Sequence, residues 1–213
     1  MSTQGNVGEN MLANFSRGPF DKFRDSCEFS PVDGIVEEIL GRLGCLRRNQ
    51  RIADVSSPVG GLEIINSMRL MRDHDMCVLN VARVGDDLEE LEKEFRNLTV
   101  KITIDEPLDD ILSASGFPNE FALLSIDSST VDTKFRPYVV VSTINPSIHP
   151  SASEVGGFNA TNVFWSAKGY SPVAMACDNV VYIRSDLTTS AEVRGVVLRN
   201  PDMLFDWSKH TMQ

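Results

Sequence analysis

The chain has 213 residues, of which 20 are Lys or Arg and 30 are Asp or Glu, for a formal net charge of −10. With 42% hydrophobic and 23% charged residues it is too apolar for a disordered chain and long enough to bury one full core. The acidic balance, with no basic run beyond Arg47-Arg48, argues against a protein that neutralises phosphate backbones, so direct nucleic-acid contact is not expected.

Residues 1–20 are rich in Ser, Gly and Asn without periodicity, and are expected to be a flexible leader. From 32 to 43 the residues Val32, Ile35, Val36, Ile39, Leu40 and Leu43 recur at helical spacing, with Gly44 as a stop. Short apolar runs and amphipathic helices then alternate. A strand is predicted at 52–55, a helix at 62–72, a strand at 77–82 and an acidic helix at 86–95. A strand at 100–104, a short helix at 108–115 and strands at 121–126 and 138–141 follow. After a loop comes a helix at 154–168, and then an antiparallel hairpin of 170–176 and 180–184 across Cys177-Asp178-Asn179.

This alternation predicts an α/β domain over residues 21–198, a three-layer sandwich with a mostly parallel twisted sheet and an antiparallel C-terminal hairpin. The tail 199–213 carries Leu204, Phe205 and Trp207, and it either docks on its own domain or binds a partner. Phe205 and Trp207 are its interaction candidates. Cys27, Cys45, Cys77 and Cys177 form no pairwise motif, and His74, His149 and His210 are scattered, so neither a disulfide framework nor a metal site is expected. Asp86-Asp87 and Asp109-Asp110 open helices, where acids favour the positive end of the dipole. No apolar run approaches the roughly 20 residues that span a bilayer. The expectation is an intracellular chain, cytoplasmic or nuclear, without a membrane partner.

Several pieces in order carry a resemblance. They are Asp33-Gly34-Ile35 before a helix, Asp54-Val55 opening a turn that ends in Gly60, Leu88-Glu89-Glu90-Leu91 and Leu108-Asp109-Asp110-Ile111-Leu112. Phe121 to Asp127, Val139-Val140-Val141, Asn145-Pro146-Ser147-Ile148 and Gly169-Tyr170 complete the set. Over residues 30–187 the chain resembles the FkbM-like branch of the class I S-adenosylmethionine-dependent methyltransferases. The resemblance implies a seven-stranded Rossmann-like sheet with the cofactor over the carboxyl ends of its strands.

The chain departs from that family where the cofactor would bind. The family's first strand typically ends acidic-x-Gly-x-x-Asp-Gly; here Asp54 and Gly60 remain, Ser56 replaces the first glycine and Val59 the inner acid. The ribose-binding acid after the second strand corresponds to Ala82, which has no acceptor. The acidic loop after the fourth strand keeps Asp127 and Asp132 but has Ser129 and Thr130 inside, and the acid late in the fifth strand is Thr143. Arg136-Pro137 follows so closely that the helix between the fourth and fifth strands is expected to be shortened or absent.

Retaining the apolar framework while dropping cofactor groups fits a pseudo-methyltransferase without cofactor, serving as a protein–protein interaction or scaffold module. Its degenerate pocket would comprise Asp54, Ser56, Gly60, Gly61, Ala82 and Asp127. Apolar surface uncovered by the missing helix would seat a second copy or another protein. The alternative is an active S-adenosylmethionine-dependent O-methyltransferase, with Asp54, Gly60 and Asp127 on the cofactor and Asp127 and Asp132 as its catalytic acids.

Overall fold

The computed structural model describes residues 31–55, 67–82, 92–93, 95–102, 106–126, 131–145, 147–149, 151–176 and 178–189. The leader, most of the predicted acidic helix and the tail with Phe205 and Trp207 lie outside these residues.

Helix α1 (Pro31–Arg42) starts on a proline, whose missing N–H costs nothing in a first turn. Its Val32, Ile35, Val36, Ile39 and Leu40 are all buried, as the spacing predicts. At its end Gly44 adopts φ +66°, its N–H bonds the Gly41 carbonyl at 3.0 Å, and the Cys45 N–H bonds the Leu40 carbonyl at 2.8 Å. This pairing satisfies the last carbonyls and needs a residue that tolerates the left-handed region.

The strands are β1 (Arg51–Val55), β2 (Cys77–Ala82), β3 (Leu98–Ile102), β4 (Leu123–Ile126), β5 (Val139–Thr143), β6 (Tyr170–Ala176) and β7 (Asn179–Arg184). The helices between them are α2 (Met68–His74), α3 (Leu108–Ala114) and α4 (Phe158–Ala167). The sheet order is β3-β2-β1-β4-β5-β7-β6. β1 to β5 are mutually parallel, whereas β7 runs antiparallel between β5 and β6. One face packs Ile52, Val78, Leu123, Val139 and Val181 against α1 and α2. The other packs Ala53, Leu79, Leu124, Val140 and Tyr182 against α3 and α4. The three-layer α/β sandwich with an antiparallel C-terminal hairpin is therefore present.

Several element boundaries differ from the sequence reading: α2 runs on to His74, β4 starts at Leu123 and β5 runs on to Thr143. Two further differences have a local reason. β3 begins at Leu98, not residue 100, because the Asn97 side chain donates to the Met71 and Met76 carbonyls at 3.0 and 2.8 Å and fixes the chain alongside β2. α4 begins at Phe158 rather than residue 154, after Gly156 at φ +91° and Gly157. A Cβ on Gly157 would stand 2.6 Å from the Ile148 side chain, so the chain before α4 is set by close packing on Ile148.

Residues 131–138 between β4 and β5 contain no helix. Phe135 fills the space instead, buried and edge-on to Phe121 at 6.4 Å, with Phe117 edge-on to Phe121 at 5.0 Å. The segment is tied to α3 through Asp109, whose carboxylate accepts from the Thr133 hydroxyl at 2.5 Å and the Lys134 N–H at 3.2 Å. Asp109 thus does more than open a helix. All of β4, and Val139 to Ser142 of β5, are buried. The bare apolar surface expected from the missing helix is consequently not found on these strands, because the aromatic loop covers it.

At the other end, Arg184 closes β7. Its buried guanidinium bonds Glu120 and Asp186, each at 2.7 Å, and lies 5.3 Å from the centre of the Tyr138 ring.

Truncating the loop's apolar plug should be costly. Phe135→Ala is expected to lower unfolding free energy by about 3 kcal/mol, read by denaturant titration. Asp109→Ala should cost less, about 1–2 kcal/mol, by releasing the same loop.

Candidate functional site

Eight polar side chains are buried among the described residues, and five of them form one layer. Asp54, one residue from the end of β1, pairs in register with Asn80 of β2 and with Ser125 of β4. Each lies two residues beyond Ile52, Val78 or Leu123, so the alternation of a strand places all three on the face covered by α1 and α2. Asp33 reaches this face from the first turn of α1, and Ser67 from the residue before α2. The five are between 0 and 2% exposed. They occupy the carboxyl ends of parallel strands, where open α/β sheets bind ligands.

The hydroxyl of Ser67 donates to Asp54 Oδ2 at 3.2 Å. Neither carboxyl oxygen of Asp33 accepts a hydrogen bond, and the side-chain oxygen of Asn80 has no donor. Burial pushes the Asp33 carboxyl up to about 7, with the Asp54 charge adding to the effect, Arg69 opposing it and Glu37 adding a little more. Arg69 is bonded to Glu37 at 2.9 Å, and His74 contacts the same carboxylate at 2.7 Å. Of the histidines, His74 therefore makes a side-chain contact at the margin of the layer.

The other predicted site residues are dispersed. Asp132 is solvent-exposed and ion-paired with Lys168; that hydrogen bond, and then the Lys168 charge, hold its carboxyl below the ordinary range. It is not gathered into the layer with Asp54. Thr143 donates its hydroxyl to Asn179 at 2.9 Å. Ala82 ends β2, in register with Ile102. Ser56, Gly60, Gly61 and Asp127 lie outside the described residues. Among the described residues no group of three His, Cys, Asp or Glu side chains is placed to hold a metal, and no helix is long and apolar enough to cross a membrane.

Asp54 is turned into the buried layer toward Ser67, and the position that the resemblance assigns to a ribose acceptor is Ala82, which has no acceptor. Sequence reasoning found Asp54 but missed Asn80, Ser67 and Ser125, and took Asp33 only as part of a motif. A signal was available. Ala-Asp-Val, Leu-Asn-Val and Leu-Ser-Ile each put one polar residue at the same inward position of a buried strand.

No protein-family model and no curated protein matches the chain. Solved structures do. One is a protein assigned as a sarcosine dimethylglycine methyltransferase from Galdieria sulphuraria, 15% identical, with a TM-score of 0.45 over 66% of this chain and 60% of that one. Another is MtNAS in complex with MTA and tNA, 16% identical, with a TM-score of 0.41 over 82% of this chain and 67% of that one. The chain thus spans less than two thirds of the first protein's length. The strand order, with β7 inserted antiparallel beside β5 and helices on both faces, makes this a Rossmann-type α/β domain.

The Ser67 hydroxyl donates to the Asp54 carboxylate. Ser67→Ala is expected to destabilise the protein by about 1–2 kcal/mol, measured by thermal and denaturant unfolding.

Proposed function

We propose that this methyltransferase-like domain is a degenerate relative of the FkbM-like branch, does not transfer methyl groups, and works as a protein–protein interaction or scaffold module. The observation that carries this reading is the state of the carboxyl edge at β1 and β2. There Asp54 is committed to a buried layer beside Ala82, which offers no ribose acceptor. The exposed, Lys168-bound Asp132 adds to it, since it stands apart from that layer. Self-association is the simplest form of the module, and Phe205 and Trp207 remain its sequence-derived contact candidates. The covered β4 and β5 strands remove one motive for it.

A second reading keeps an active O-methyltransferase, favoured by the retained acid Asp54 at the carboxyl end of an intact parallel sheet. Calorimetric titration with S-adenosylmethionine and S-adenosylhomocysteine separates the two. No heat and no thermal shift are expected. Binding in the micromolar range that is abolished by Asp54→Ala would overturn the non-catalytic reading.

A further inference from the structure

We propose that Asp33 and Asp54 hold one proton between them where α1 meets the carboxyl end of β1, and that losing this proton loosens α1 from the sheet. Placement carries the idea. Asp33 is flanked on α1 by Val32 and Ile35, which pack with Ile52 and Val78 in one apolar cluster. Its carboxyl is thereby set on the same face of the sheet as Asp54, two residues beyond Ile52. Both acids are 1% exposed, so bulk water does not reach them.

The layer is short of donors. Both oxygens of Asp33 and the side-chain oxygen of Asn80, next to Asp54 in register, accept nothing. A proton retained on Asp33 converts one of these acceptors into a donor and leaves the pair one negative charge rather than two. The neighbouring groups leave that proton in demand. Arg69 favours ionisation of Asp33, yet its guanidinium is bonded to Glu37 at 2.9 Å and lies 3.7 Å from Asp73. Glu37 opposes ionisation, and the His74 ring beside it contacts Glu37, not Asp33. Ser67 and Asn80 carry no charge. When the proton leaves for solvent, two carboxylates remain in a layer shielded from bulk water, and their repulsion acts across the contact between α1 and β1.

The sign follows from the direction of the shift. The folded protein keeps on Asp33, up to about 7, a proton that the unfolded chain releases near the ordinary value of 3.8. This contribution to stability is therefore full below that ordinary value, and it is lost as pH rises toward and through about 7.

Unfolding midpoints of the full chain and of Asp33→Asn, compared from about pH 5 to about pH 9, test the proposal. The unaltered chain should lose several degrees more than the variant across this range, and the variant should be the more stable at the alkaline end. Parallel profiles overturn the proposal. Should Asp33→Asn fail to fold, the unaltered protein decides. With carboxyl-labelled aspartate, one resonance should titrate near neutrality, while amide exchange at residues 36–40 of α1 rises several-fold over the same interval. If every aspartate titrates below about pH 5, no shared proton is retained and the proposal fails.

Discussion

Strands β1, β2, β4 and β5 are buried over most of their length, so the side chains on both their faces have to find cover in one of two flanking layers. In this chain α1 and α2 supply one layer, while α3, α4 and the aromatic loop supply the other. The non-helical segment 131–138 before β5 is tolerable only because it delivers a large apolar side chain to that layer. Phe135 does so, and Asp109 fixes the backbone that carries it. The adaptation lies in the covering layer, while the sheet beneath it keeps its order.

The same constraint explains why the buried polar layer stands out. A strand buried on both faces gains nothing from an Asp, Asn or Ser unless that side chain has a partner, and here three neighbouring strands each place one at the same depth. They sit at the end of the sheet where ligands of related folds lie. Yet the acids are enclosed, while Asp132 stands apart, exposed and paired with Lys168. On the function proposed above, the domain keeps the acid of a binding edge as part of its interior.

Much of the fold was legible because its signals are periodic. The inward residues of α1, the run of β2 and the hairpin of β6 and β7 follow directly from apolar spacing, and their boundaries shift by a residue at most. Elsewhere the decisive contacts were long-range. Asn97 reaches the carbonyls of Met71 and Met76, and Ile148 excludes a Cβ at Gly157, and neither relation has a local signature. The polar layer was half legible. Asp54 was recognisable from its place at a strand end, but Asp33 matters only through a surface built by residues some twenty positions away. The covered β4–β5 surface was misjudged for a similar reason: a missing helix is visible in sequence, whereas the aromatic residue that replaces its packing looks like any loop phenylalanine.

The outer strand β6 has one more consequence. Its register with β7 slips between Pro172 and Ala174, and Pro172 has no backbone N–H to offer a neighbour. A bulge and a proline on an edge strand break the regular ladder that another chain would need as a template. The antiparallel hairpin is thus a terminus for the sheet as well as its last element. On this side, protection against edge-to-edge aggregation is written into the backbone, independently of the chain's negative charge.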